Sequence, residues 1–324
     1  MGFRPHPPRG WRRAEGCRSP AAYLPDDLVV EILSRLPARS LCRFKCVSRS
    51  WRALISDRFS FAQTLSGFFF SSRRDIAAGP PCGFAGLPPP LPRVDTALSF
   101  LPPSGGAIEL LDSCCNGLLL LLCSREPGSP LPPFYVVCNP VTPEWVALPQ
   151  PSHAPGTSQV LDVKRITGAA IGFDPTFSPH FYVFQLHHVA IQCQEHVEVV
   201  EIYSSGSNKW VLKESGWKRQ WVCFCGRDST FFNGSLHFAI PFDKVASVDT
   251  RGQSWRVTVV RPGEDDSYDH VFGQIVGHSQ GRLLYMDADC WKNVFSIFVL
   301  EDYSRDEWTF RQSISMMDLF GPPS

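Results

Sequence analysis

Glu201-Ile-Tyr-Ser-Ser-Gly-Ser-Asn-Lys-Trp210 decides how the larger part of this chain is read. Apolar strand residues run to Tyr203, Ser204 opens a turn, and Trp210 follows six positions after that serine. The same layout recurs in Val136–Trp145 with its turn at Asn139, in Ala246–Trp255 at Asp249 and in Leu300–Trp308 at Asp302. Asn, Asp and Ser side chains accept hydrogen bonds from the backbone just ahead of them, so each stretch predicts a hairpin. Its returning strand is expected to deliver the Trp to a buried face. A second signature, a polar-Gly turn entering an apolar strand, stands at Asn116-Gly117, Asn233-Gly234 and Gln280-Gly281, with Gly168 to Gly172 in the comparable place of the remaining repeat.

Successive Trp residues are 65, 45 and 53 positions apart. Small meanders repeating at roughly 40–50 residues predict propeller blades, because one blade cannot bury both its faces alone. A β-sandwich with coincidental Trp spacing is the alternative. Four units are few for a ring, so degenerate blades are expected from residues 61–110 or from the C-terminal tail.

The rest of the chain differs. Residues 1–60 carry 12 Lys/Arg against 5 Asp/Glu, whereas the whole chain of 324 residues is neutral. A neutral chain has no general attraction to nucleic acid. The longest aliphatic run, Leu118 to Leu122, is far short of the ~18 residues of a membrane span. The basic start, MGFRPHPPRGWRR, has no apolar core behind it and predicts no secretory signal. The 12 cysteines form no C-x-x-C pair and several sit in apolar runs, as in a reduced protein. The expectation is an intracellular protein of the cytoplasm or nucleus, binding neither nucleic acid nor membrane.

The predicted organisation is a disordered basic tail over 1–22, a helical module over 23–60, a Pro/Gly-rich linker or degenerate first blade over 61–109, an all-β domain over 110–312 and a tail over 313–324. Pro25, Asp26 and Asp27 open a helix: proline is tolerated in a first turn, and acids there face the positive end of the helix dipole. Leu28, Val29, Ile32, Leu33 and Leu36 form its apolar stripe, and Pro37 ends it. Ser40 is placed to cap a second helix carrying Leu41, Phe44 and Val47, and Ser48 a third with Trp51, Leu54 and Ile55. About a dozen large apolar side chains in so small a unit are more than it can hide, which predicts an exposed interface.

This module resembles an F-box, particularly the plant form, through Leu24-Pro25, Glu31-Ile32-Leu33, Leu36-Pro37, Ser40-Leu41, Arg43-Phe44, Cys46-Val47, Ser50-Trp51 and Leu54-Ile55. It departs at Ser48, where a second Cys is frequent, and at Arg58, where Pro is common. The resemblance implies docking onto a Skp-type adaptor, and through it a cullin–RING ubiquitin ligase. Such adaptors are acidic, which suits the basic end of the chain. It further implies that Leu24, Pro25, Leu28, Ile32, Leu33, Leu36, Pro37, Leu41, Val47 and Trp51 form or support the adaptor-facing surface. The later segments Ser113–Leu118, Asn139–Trp145, Gly172–Pro175, Val199–Trp210, Asn233-Gly234 and Leu300–Tyr303 resemble the F-box-associated domain of plant F-box proteins. The implied class is α+β and multidomain: a small three-helix F-box followed by a large all-β, propeller-like (kelch-like) domain that recruits a protein substrate. The alternative is a propeller module binding protein or glycan outside ubiquitination.

Catalytic motifs do not hold up. Gly277-His-Ser-Gln-Gly281 matches a nucleophile elbow in letters, but a strand follows it and no histidine lies downstream of His278. His187, His188, Glu195 and His196 match no standard zinc spacing. Trp217 and Trp221 beside Lys218 and Arg219 read as core or rim aromatics. The expectation is a non-enzyme with no catalytic residue, metal or cofactor.

Overall fold

A computed structural model describes residues 25–34, 44, 47–59, 67–70, 82–86, 95–101, 106–126, 128–155, 158–160, 163–191, 194–217, 222, 229–261, 273–289 and 292–320. The chain divides into two units, 1–64 and 65–324.

In the first unit, helix Asp26–Ser34 starts where the Leu28 and Val29 amides donate to the Pro25 carbonyl. Helix Arg49–Phe59 starts at Ser48, whose Oγ accepts the Trp51 amide at 3.1 Å, as its predicted cap should. Val29, Leu33 and Ile55 form the buried core, with Phe44, Trp51 and Leu54 packed on it. Phe44 and Trp51 meet edge to face, 5.5 Å between centroids. The predicted middle helix lies outside the described residues apart from Phe44 and Val47.

In the second unit every described strand pairs antiparallel with its sequence neighbour. β1 (Gly67–Phe70) and β2 (Gly83–Gly86) make a two-stranded pair, so a strand lies inside the stretch read as Pro/Gly-rich loop. The first full sheet is β3 (Ile108–Cys115), β4 (Leu118–Cys123), β5 (Phe134–Asn139) and β6 (Glu144–Ala147). The second has five strands, β7 (Ser158–Val160), β8 (Val163–Gly172), β9 (Tyr182–Ile191), β10 (Gln194–Ser204) and β11 (Lys209–Glu214). The third is β12 (Ser229–Phe232), β13 (Ser235–Ile240), β14 (Lys244–Asp249) and β15 (Trp255–Val259). The fourth is β16 (Gln274–Ser279), β17 (Arg282–Asp289), β18 (Val294–Asp302) and β19 (Glu307–Ser315), followed by a short helix, Met316–Phe320.

Neighbouring sheets touch through β3 and β4 against β8, β8 against β12, and β12 and β13 against β16. One apolar core runs through the first three sheets, from Leu120 and Val137 through Phe184 and Val200 to Leu236 and Val248. Central strands are buried on both faces, which is why Leu118–Leu122 is continuously apolar rather than alternating. Among the described residues no strand pairing links one sheet to another.

The turn signatures fold as read. Asn116-Gly117, Asn233-Gly234 and Gln280-Gly281 each place two residues at positive φ, the backbone of a type I′ hairpin turn. Asn139 Oδ1 accepts the Val141 and Thr142 amides, and Asp249 Oδ1 those of Gln253 and Ser254. Two expectations are corrected. Gly168–Gly172 is strand, not turn: it ends β8, and the connection to β9 is the longer segment 173–181. A Cβ on Gly172 would lie 2.4 Å from the Phe231 ring, so the glycine is there to let two sheets close up. Gly172→Ala is expected to cost about 1–3 kcal/mol, read as a lower urea midpoint.

The second correction concerns the tryptophans. Trp210, Trp255 and Trp308 are half-buried and reach the sheet or linker preceding their own. Trp210 Nε1 donates to the Pro149 carbonyl, Trp255 packs edge-on against Trp217, and Trp308 Nε1 donates to Thr258 Oγ1. Trp145, in the first full sheet, is 42% exposed instead. Trp217 itself is buried and donates to the Arg256 carbonyl, a core aromatic; Trp221 lies outside the described residues.

Candidate functional site

The helix 26–34 has two adjacent apolar rows. Val29 and Leu33, four residues apart, point into the core and are 6% and 0% exposed. Leu28 and Ile32, also four apart, are each 51% exposed. One stripe was expected; the module splits it, burying one row and presenting the other. Val47 is 61% exposed and Pro25 is exposed, while Trp51 is half-buried against Phe44. Leu33 therefore supports the surface from beneath. Leu24, Leu36, Pro37 and Leu41 lie outside the described residues. Asp26 and Asp27 stand exposed in the first turn and keep the ridge bordered by charge. This arrangement has no chemistry of its own: it offers aliphatic area to be covered.

The β domain contains polar clusters that sequence reasoning missed. Glu201, fully buried in β10, accepts the Ser152 amide at 2.7 Å, the His153 amide at 3.0 Å and His153 Nδ1 at 2.8 Å, with His187 Nε2 at 3.2 Å. Burial pushes its carboxyl up, but the hydrogen bonds from His187, His153 and the Ser152 and His153 backbone outweigh that and hold it at about 2. His187 is thus joined to His153 and Glu201. The sequence did carry a signal: Glu201 stands between Val199 and Tyr203 on one face of an apolar strand. A charge at such a position needs partners.

A second cluster links the third and fourth sheets. Asp243 Oδ1 accepts Tyr285 Oη at 2.8 Å and Gln274 Nε2 at 3.2 Å, and its Oδ2 accepts Arg261 Nε at 2.8 Å. Arg261 also donates to Asp287 at 2.7 Å. Nearby, Arg256 lies over the Tyr303 ring at 4.6 Å and pairs with Asp306, and His237 Nε2 meets Tyr303 Oη at 2.9 Å. Gly277–Gly281 runs from strand through turn into strand, with His278 Nδ1 against Thr230 Oγ1. That is not the strand-to-helix geometry of a nucleophile elbow. No helix among the described residues is long and apolar enough to cross a membrane.

The chain thus pairs a helical module that turns one row of aliphatics outward with a large all-β domain of consecutive antiparallel meanders. The F-box domain family matches residues 23–62, and the family described as F-box protein At3g26010-like, beta-propeller, matches residues 95–321. The second match spans well over half of the chain, which therefore belongs to the At3g26010-like F-box propeller family. The β domain is thus placed in that propeller family, rather than in the F-box-associated domain that its segments resemble. The chain is 24% identical over 316 residues to F-box protein At5g07610 of Arabidopsis thaliana, covering 91% of this chain and 71% of that one. It is 30% identical over 226 residues to the putative F-box/kelch-repeat protein At1g15680 of the same plant, covering 63% and 49%. Over 49 residues, 14% of this chain and 11% of the other, it is 57% identical to the Arabidopsis F-box/kelch-repeat protein At4g19930.

Proposed function

We propose that this protein is the substrate-recognition subunit of a Skp–cullin–F-box ubiquitin ligase. The helical module binds a Skp-type adaptor, and the loops of the β domain hold a target protein. The transfer chemistry is done elsewhere in the assembly, so the contribution of this chain is proximity. The observation that carries the reading is the exposed Leu28–Ile32 row on an F-box helix whose adjacent row is buried. The adaptor-facing set then comprises Leu24, Pro25, Leu28, Ile32, Leu36, Pro37, Leu41, Val47 and Trp51, with Leu33 beneath. On this reading the protein works inside the cell, in cytoplasm or nucleus, and needs no cofactor.

Leu28→Ala with Ile32→Ala is the direct test. Both side chains are half-exposed, so the module keeps its core of Val29, Leu33 and Ile55. Two central apolar anchors at an interface are worth roughly 3 kcal/mol together, about a hundredfold in affinity. Titration of purified adaptor against full-length protein should show that loss while circular dichroism stays unchanged. A folded double variant that still binds the adaptor at wild-type affinity would overturn the proposal.

A further inference from the structure

The cluster around Glu201 holds together the linker after the first sheet and the face of the second. Glu201 and Gln185 are directly opposite in the pairing of β9 with β10, and His187 lies two residues along the same face. His153 reaches in from the linker, its ring 4.7 Å from that of His187.

Two features are not accounted for by hydrogen bonding alone. The first is charge. Glu201 is fully buried, and among the described residues its ionic partners are the two histidines, with no Lys or Arg. A buried carboxylate calls for a cation. The second is a proton conflict. Gln185 Nε2 donates to the His153 carbonyl at 2.9 Å, which fixes which end of the amide is nitrogen. The same nitrogen lies 3.0 Å from His187 Nε2 and is satisfied there only if that ring nitrogen carries no proton. Glu201 Oε1, at 3.2 Å from the same ring nitrogen, is satisfied there only if it does. Gln185 Oε1 is buried with no partner among the described residues. A cation held between His187 Nε2 and Glu201 Oε1 in place of that proton would satisfy both contacts.

We propose that His153 Nδ1, His187 Nε2 and the Glu201 carboxylate form a divalent transition-metal site of the zinc class, tying the linker after the first sheet to the second sheet. The three ligand atoms lie within 4.8 Å of one another. Zinc bound by nitrogen and oxygen at ~2.0–2.2 Å sets neighbouring ligand atoms about 3.3 Å apart in a tetrahedron. The 3.2 Å between His187 and Glu201 already matches. The 2.8 Å from Glu201 to His153 is shorter than this and the widest separation in the set, up to 4.8 Å, is longer, so the His153 ring, 40% exposed on a linker, must turn to bring its nitrogen away from the carboxylate and towards His187. That exposed side is where a water completes the shell. Two imidazoles and one carboxylate suit zinc or cobalt better than calcium or magnesium, which prefer oxygen. The ion would hold the linker to the second sheet. Nothing in this depends on adaptor binding, so the two proposals fail separately.

The test uses full-length protein freed of metal by chelation, with zinc and cobalt as the probes. Wild type should bind one zinc per chain more than His153→Ala and His187→Ala. Its melting temperature should rise by about 5 °C or more at a hundredfold excess over the dissociation constant. The cobalt form should show the visible absorption of a four-coordinate nitrogen–oxygen site, lost in both variants. The comparison with variants matters because the chain has 12 cysteines that also bind these metals. His153→Ala removes a partly exposed side chain, so it stays interpretable should His187→Ala misfold. Equal zinc stoichiometry in wild type and His153→Ala, or a cobalt spectrum the variant does not change, would overturn the proposal.

Discussion

Between pH 7 and pH 4 the β domain is expected to lose about 6 kcal/mol of stability through two buried histidines. His188 is 1% exposed and His237 is 2% exposed. Burial is the main reason His188 is pulled from 6.5 to about 4, with the neighbouring His187 and His196 adding to it. Burial likewise brings His237 to about 4, helped by the charges of Arg256 and His278 and opposed by its hydrogen bond to the Ser235 backbone. Both folded values are depressed, so the unfolded chain takes up these protons first. Stability is intact above 6.5 and is lost as the pH falls from there towards 4. At 1.36 kcal/mol per unit of separation, each histidine accounts for about 3 kcal/mol at the acid end. Glu201 acts in the same direction lower down, since its carboxyl is held at about 2 and its contribution fades as pH falls from 4.5. Urea unfolding of the full-length protein, followed by Trp fluorescence at pH 7, 5.5 and 4, reads the effect directly. His188→Leu should halve the slope between pH 6 and 5. A midpoint constant from pH 7 to 4, or a slope that the variant leaves alone, would show that these imidazoles are charged in the folded state.

Local chemistry was legible in the sequence wherever a structural feature depends on residues close along the chain. The Asn-Gly and Gln-Gly turns, the Asx turns at Asn139 and Asp249 and the Ser48 cap each involve hydrogen bonds or φ values within five residues. The apolar rows of helix 26–34 were legible too, but not which row would face inward, because that is decided by Ile55 and Phe44 arriving from elsewhere. Trp145 obeys the same local pattern as Trp210, Trp255 and Trp308, yet it is exposed, since burial depends on the neighbouring sheet and not on the hairpin. Gly168–Gly172 was misread for a related reason: the glycines serve a close approach to Phe231, 59 residues after Gly172, and no turn. The polar clusters were the least legible. Glu201 draws on Ser152 and His153, and Asp243 on Tyr285, at 48 or 49 and 42 residues' separation, with no period to reveal them.

Asp243→Ala is expected to destabilise the β domain by about 3–4 kcal/mol. The carboxylate serves three donors from elements packed around it: Tyr285 Oη, Gln274 Nε2 and Arg261 Nε. Arg261 keeps Asp287 as a partner in the variant, so no isolated charge is left behind. Tyr285, fully buried, loses its acceptor, and a donor stranded away from water costs about 1–3 kcal/mol; Gln274 loses one of its hydrogen bonds as well. Backbone geometry adds to this. Phe242 and Asp243 sit at φ values of 67° and 50° in the turn between β13 and β14. Aspartate tolerates the left-handed region better than alanine does, a difference of up to about 1 kcal/mol. Asp243→Asn keeps the turn geometry and one acceptor oxygen, so it should cost less than half as much. Tyr285→Phe separates the contributions further: once Asp243 is alanine, removing the hydroxyl should relieve the stranded donor rather than add to the loss. The urea midpoints of wild type, Asp243→Ala, Asp243→Asn, Tyr285→Phe and the double variant Asp243→Ala with Tyr285→Phe at pH 7 decide the matter. A cost for Asp243→Ala below about 1 kcal/mol, or strict additivity with Tyr285→Phe, would mean that water replaces the carboxylate and that apolar packing alone holds the third and fourth sheets together.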